Sequence, residues 1–507
     1  MAGAAKRVAG GAVWAMLGQV AALGLGLWAT RYLKNGLGLD RYAVLVLLVG
    51  LQGGVLGMLG NSINTAILVL LAGDDHATVQ RRGRALALWS LSAAVLAAAA
   101  ALALGTAAVG GLFWSDPASL AAWRAVMPWA ALAWSAQLLC AGLWAAQRAR
   151  LRMAQAEMQQ ALGQALVTLA GPAGLMLGAD LASVVLAQAL GWAALLAASF
   201  AWERSKPDRL DLRPRLDPAV LGEAWHIVGW TVLTLAGSAV FTYGDRFFSL
   251  QIGPRELSAY GIATSLTIRI PSAMGMMGPL ALPVLAAARR DLARAAELQR
   301  LFLAINLLAA TAACLPLAAG GAALLGAWVG PDVQAAAEHW MLLLSLACFF
   351  FCLSQAMNTA LVGFGMVPQT ALIALLGAGV GVGCGFYASR HGQPGSAWMA
   401  LSGQATAAVL GACLLERRVL GRGGLGWLLT LLPFLLAAGL GAWLLRRLGF
   451  PEWLGPGLLG HLACFALAGA AVLGLGLAAE TLLARRAGRE SLWGHALALA
   501  GRAPARP

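Results

Sequence analysis

The sequence predicts an all-α integral membrane protein of about 14 transmembrane helices: two six-helix bundles plus two C-terminal helices. Three observations carry this reading. Hydrophobic residues make up 60% of the 507-residue chain and charged residues only 11%, with mean hydropathy +0.76; a soluble domain carries about 25% charge. Apolar runs of about 20 residues or more recur from end to end, each long enough for a hydrocarbon core of about 30 Å. Basic residues also gather in every second connection, as topology demands of a multi-span chain.

The elements follow in order. The first run, 8–30, is too long for a signal-peptide core and has no convincing cleavage site, so it reads as a retained span. Further spans are expected at 43–71, 86–112, 121–145, 158–178 and 181–202, completing an N-terminal bundle over 1–202. The most polar stretch, WERSKPDRLDLRPRLDP, then supplies a proline-bearing cytoplasmic linker at 203–218. Spans at 222–251, 258–287, 301–328, 337–362, 370–389 and 396–415 form a second bundle over 219–416. Two additional spans (425–445 and 458–480, within 417–480) and a basic cytoplasmic tail (481–507) complete the chain.

The net charge of +14 follows from topology and not from a nucleic-acid partner. With the N-terminus inside, the inward segments hold Arg81, Arg82, Arg84, Arg148, Arg150, Arg152, the linker cations, the arginines of 289–300 and those of the tail. They outnumber the outward cations roughly three to one, which places both termini in the cytoplasm. Outward loops are short and leave no room for an extracellular catalytic domain. Lys6, Lys34 and Lys206 are the only lysines, none in a phosphate-cradling Gly-Lys-Ser/Thr setting, so no ATPase is encoded. No metalloprotease helix, nucleophile elbow or paired-carboxylate motif occurs, so no enzyme, cofactor or metal is expected. Cys348 and Cys352 lie four apart without His or carboxylate company and read as packing residues, as do the other five cysteines.

Polar residues inside apolar spans are costly and mark the candidate sites. Thr231, Thr234, Ser238, Thr242, Asp245 and Ser249 repeat at steps of three and four, stacking on one face of span seven. Such a stripe serves either helix–helix hydrogen bonding or the wall of a wet cavity; Asp245 at its outer end favours the cavity. In span eight, Ser265, Arg269 and Ser272 share a face, and Arg269 lies about 17 Å into the span at 1.5 Å per residue. An isolated arginine there costs at least ~2.5–3.5 kcal/mol. Asp245 is one candidate partner, though offset in depth, and Arg246 and Arg255 compete for it. An unpaired guanidinium at this depth suits an anionic oxygen group.

Around these residues the chain resembles the bacterial polysaccharide flippases of the multidrug/oligosaccharidyl-lipid/polysaccharide exporter superfamily. The matching features are Asp245, Gly253 followed seven residues later by Tyr260, Arg269, and a Pro-x-Leu-Ala exit at 283–286. In the first bundle they are Arg31, the Leu37-Gly38-x-x-x-Tyr42 hinge and a glycine-bearing span two. The resemblance spans essentially the whole chain and implies translocation of a polyprenyl-diphosphate-linked oligosaccharide across the bacterial inner membrane by alternating access, for O-antigen, capsule or exopolysaccharide assembly. It implies cationic cavity residues at Arg31 and Arg269, although Arg31 also suits an interfacial snorkelling anchor. Asn61, Asn64, Asn306, Gln355 and Asn358 become candidate sugar ligands, and Asp245 the candidate ion-coupling group for H+ or Na+. Membrane lipid, polysaccharide polymerase and chain-length proteins are the implied partners. Two rivals remain: a cation-coupled multidrug antiporter of the same superfamily, which usually has more buried carboxylates, and a membrane-embedded polymerase or ligase, which needs a large outward loop.

The expected topology is testable. Reporters fused after Pro507, and at truncations within 254–258, should report inside and outside respectively; a periplasmic C-terminus overturns the span count.

Overall fold

The computed structural model describes residues 2–71, 76–150, 152–178, 180–206, 211, 213–275, 285, 292–418, 447, 449 and 457–486. The expected span at 425–445, the greater part of 276–291 (including most of the Pro-x-Leu-Ala exit) and the end of the tail (487–507) lie outside the described residues. The described residues contain α-helix, turns and irregular backbone but no strand. Nine of their helices are long and apolar enough to cross a membrane, and the bent pair 218–226 and 228–240 makes a tenth if counted as one span. The protein is a multi-pass, all-α membrane protein.

The helices are α1 (Ala2–Leu71), α2 (His76–Leu104), α3 (Ala107–Phe113), α4 (Pro117–Ala149), α5 (Met153–Gly178), α6 (Leu181–Arg204), α7 (Pro218–Tyr243), α8 (Arg246–Ile252) and α9 (Pro254–Thr267). They continue as α10 (Arg269–Gly275), α11 (Leu292–Val329), α12 (Pro331–Ala337), α13 (Met341–Gly363), α14 (Val367–Arg390), α15 (Gly395–Arg418) and α16 (Leu458–Arg486). Expected spans one and two share α1, which is two helices joined at Gly38; its φ of 73° and ψ of 164° are non-helical and suit glycine alone among common residues.

Residues 1–262 form one compact unit and 263–507 a second. In the first, α1 packs on α4, α5 and α7, while α2 and α6 both pack on α4. Its buried centre includes Trp123, Met127, Trp134 and Leu138. Asp116, Asp180 and Asp217 cap α4, α6 and α7, their carboxylates accepting from the amides of Ser119, Ser183 and Val220. Pro117 and Pro218 occupy the following helical position, where a missing N–H costs nothing. At the end that the charge bias assigns to the cytoplasm, Arg82 donates to the Leu70 carbonyl at 2.9 Å, satisfying an orphan acceptor of α1. Glu203, 2% exposed, is clamped by Arg150 and Arg152. The linker is tied to α2 by Arg215 N–H to the Arg84 carbonyl, Arg84 to Asp211 at 2.7 Å and Arg81 to Asp217 at 2.5 Å. The hydrogen bond from Arg81 is the main influence holding the Asp217 carboxyl below the usual carboxylate range.

In the second unit α13 packs on α10, α11 and α15, and α15 on α14. Cys314, Cys348, Cys352, Phe349 and Leu353 are part of its core, and all seven cysteines are free, as packing residues should be.

Spans seven and eight differ from the sequence expectation of continuous helices over 222–251 and 258–287. Span seven stops at Tyr243 and restarts at Arg246, because Gly244 and Asp245 form a turn. Span eight breaks at Ile268, between α9 and α10. Pro271 explains the second break: it has no N–H to give the carbonyl of residue 267 four positions back. That carbonyl accepts instead from Cys348 Sγ at 3.3 Å, as an unpaired acceptor in hydrocarbon must find a new donor. Pro271→Ala should therefore slow amide exchange over 268–272 and raise the melting temperature in detergent. Unchanged exchange would show that proline does not cause the break.

Candidate functional site

A buried charged cluster with unused hydrogen-bonding capacity lies in the first unit, where α1, α8 and α9 converge. The second half of α1 carries Gly50, Gly53 and Gly54 along one face. A Cβ at Gly50 would lie 2.5 Å from Arg246 Nη1, and one at Gly53 would lie 2.5 Å from Tyr243 Cε1. These glycines form a flat track on which both side chains rest. Arg246 also sits over the Tyr243 ring, 5.3 Å from its centroid, a favourable cation–π placement.

Asp245 is 3% exposed and Arg246 7%. Tyr260 Oη donates to Asp245 Oδ2 at 2.6 Å, and the Arg246 guanidinium attracts the same carboxylate. Among the described residues, Asp245 Oδ1 and the Arg246 Nε and Nη1 groups have no hydrogen-bond partner. The cluster thus holds one spare acceptor and two spare donors out of water, a costly state. It provides a carboxylate oxygen for a proton or monovalent cation and N–H groups for an anion. At the same end, Ser258, fully buried, donates to the Leu39 carbonyl beside the Gly38 joint, and Arg255 reaches Asp40 at 3.5 Å. The carboxylate's hydrogen-bonding partner is therefore Tyr260, which the sequence marks only as part of the family resemblance and not as a partner of Asp245.

The other predicted residues are distributed as follows. Thr234 is buried and donates back to the Trp230 carbonyl at 2.9 Å; Ser238 and Thr242 are half-buried. Asn61 and Arg31 are exposed on α1, and Asn64 is half-buried with Oδ1 unpartnered among the described residues. In the second unit Arg269 begins α10 directly after the break and is half-buried. No carboxylate among the described residues forms an ion pair with it. Ser265 is half-buried on α9, whereas Ser272 is exposed on α10 and donates to the Ile268 carbonyl at 2.7 Å. The helix break thus interrupts the face that spacing alone gives to Ser265, Arg269 and Ser272. Asn358 is exposed, Gln355 half-buried, and Asn306 is buried with its amide donating to the Phe302 carbonyl at 2.8 Å. Gln52 and Gln137, which the sequence reading did not single out, join α1 to α4 at 2.7 Å. Among the described residues no group of three or more His, Cys, Asp or Glu is placed to hold a metal ion.

No protein-family model matches the chain, and no curated protein matches its sequence. Its fold is similar to solved transporters of the MOP superfamily. The lipid II flippase MurJ in an inward closed conformation matches with TM-score 0.72 and 9% identity, over 94% of this chain and 99% of that one. A multidrug resistance MATE family transporter in an inward-facing conformation matches with TM-score 0.67 and 13% identity, over 80% of this chain and 98% of that one. A MOP-superfamily transporter from Pyrococcus furiosus, described as having a binding pocket of reversed polarity, matches with TM-score 0.60 and 14% identity, over 82% and 96%. The chain therefore shares the all-helical fold of these structures.

The buried cluster makes an ordered prediction. Tyr260→Phe leaves the Asp245 carboxylate buried without its donor and should cost about 1–3 kcal/mol of stability. Asp245→Asn keeps an acceptor for Tyr260 without a buried charge and should melt higher than Tyr260→Phe. The reverse order of melting temperatures would remove the hydrogen bond from the account.

Proposed function

We propose that the protein translocates a polyprenyl-diphosphate-linked oligosaccharide across the bacterial inner membrane by alternating access, with both termini cytoplasmic, for O-antigen, capsule or exopolysaccharide assembly. The observation that carries this reading is Arg269: a guanidinium at a helix break deep in an apolar span, with no carboxylate bridging it among the described residues. A diphosphate supplies the oxygen pair that a planar guanidinium fork engages best. The flippase match supports the same direction, since it extends over 94% of the chain, whereas the multidrug transporter is itself covered to 98% yet leaves a fifth of this chain unmatched. Arg31 is assigned to the anionic substrate as well. Ser265, Ser272, Thr234, Ser238, Thr242, Asn61 and Asn358 are assigned to its polar headgroup. Export of a diphosphate from an inside-negative cell gains about 2.3 kcal/mol per charge per 100 mV, so ion coupling serves mainly to reset the carrier.

A second reading, cation-coupled antiport, is favoured by Asp245, whose unpartnered oxygen lies in a buried cluster. On either reading Asp245 is the H+ or Na+ site. The chain's own chemistry is binding and release, not catalysis.

Arg269→Ala should abolish export at normal membrane abundance, and Arg269→Lys should retain a fraction of it, because lysine keeps the charge without the fork. The measurement is lipid-linked oligosaccharide accumulated on the cytoplasmic face, alongside protein abundance. Normal export by the alanine variant removes Arg269 from the mechanism.

A further inference from the structure

A second feature of the first unit has no place in this scheme. α2 and α6 stand apart over α4, leaving a groove of about 520 Å³, within the range of about 300–1,000 Å³ typical of ligand pockets. Its wall is hydrocarbon, including Leu86, Leu91, Leu132, Ala197 and Phe200. Its two serine hydroxyls are spent internally: Ser90 donates to the Leu86 carbonyl and Ser135 to the Ala94 and Ala131 carbonyls. The groove occupies the cytoplasmic half of these helices on the charge-based topology, and Pro214 of the linker closes its inner end.

That end is cationic. Arg204 lies over the Phe200 ring, 4.4 Å from its centroid, and Arg213 and Arg215, both exposed, flank Pro214. The nearby carboxylates are already engaged, Asp211 by Arg84 and Glu203 by Arg150 and Arg152. The linker segment is held in place by Arg215 N–H to the Arg84 carbonyl and Asp211 N–H to Gln80 Oε1. A fixed rim suits a resident molecule better than one that must be released in every cycle.

We propose that this groove binds one acyl chain of an anionic inner-leaflet glycerophospholipid, with its phosphate on Arg204, Arg213 and Arg215. A chain moving from bilayer hydrocarbon into an apolar groove gains little from the hydrophobic effect, since lipid tails are as apolar as leucine. Selection therefore comes from the arginines: basic pockets between helices on the cytoplasmic side recognise anionic headgroups. The inference rests on the topology, not on which substrate is transported.

The test uses the purified full-length protein in phosphatidylcholine vesicles containing trace spin-labelled phosphatidylglycerol or spin-labelled phosphatidylcholine. The motionally restricted fraction should favour phosphatidylglycerol by at least tenfold, a ratio that one or two arginines at about 1 kcal/mol each already reach. Arg204→Gln, Arg213→Gln and Arg215→Gln together should bring that ratio close to one while phosphatidylcholine retention stays unchanged. Ala197→Trp, which fills the groove from an exposed position, should lower the retention of both lipids. Leu162→Trp, exposed on α5 outside the groove, should change neither. Equal restriction of both lipids by the unaltered protein overturns the proposal. So does an Ala197→Trp variant that melts normally and retains both lipids, and so does undecaprenyl phosphate displacing the label at lower concentration than unlabelled phosphatidylglycerol, which would assign the groove to the polyprenyl tail.

Discussion

Hydrocarbon offers no hydrogen bonds, so every peptide group in a spanning segment must be satisfied by the protein. Each irregularity here is organised around that constraint. Where Pro271 withholds a donor, Cys348 supplies one to the Thr267 carbonyl. Where α1 turns at Gly38, Ser258 donates to the neighbouring Leu39 carbonyl. Where α1 ends, Arg82 takes up the Leu70 carbonyl. The same constraint explains why mid-span hydroxyls such as Thr234, Ser272 and Thr311 return their protons to their own helices. Polar groups that escape it, such as Asp245 Oδ1 and the Arg246 Nε and Nη1 groups, are those with binding capacity to spare.

Close approach is the second organising factor. Arg246 and Tyr243 reach the α1 backbone only because residues 50 and 53 have no side chain. A lone buried arginine would be expensive, but here its stem and plane are covered by glycine backbone and an aromatic face, and its charge lies beside a carboxylate. The arrangement keeps two opposite charges out of water in one conformation, and any ligand that binds either of them alters the balance between the pair.

Much of this was legible in the sequence. Composition and run length define the all-α membrane class. The proline-rich polar stretch after Trp202 marks the linker, whereas hydropathy starts two spans at 121 and 222, a few residues past the Asp-Pro pairs at 116–117 and 217–218 where the helices begin. Asp245 and Arg269 stand out because nothing around them tolerates charge. The rest was obscured for identifiable reasons. A 3.6-residue periodicity carries a stripe straight through Gly244 and Ile268, since hydropathy does not register a missing hydrogen bond; Pro271 alone announces the second interruption. Tyr260 looks apolar enough to belong to a packing face, and its contact with Asp245 spans the Gly253 turn, which no helical spacing encodes. The glycines of span two are visible one by one, but their meaning depends on which side chain lies against them.

The joint at Gly38 has a mechanical consequence. Two membrane-length helices meet at a single residue instead of a loop, so the connection has no slack and almost all of its freedom is concentrated in one pair of torsions. Rotation there swings the first helix as a rigid arm against the second, while the Ser258–Leu39 bond ties α9 to the second helix at its first residue. The loop-borne compliance found at most helix connections is absent at this joint, and α9 anchors the fixed side of the hinge.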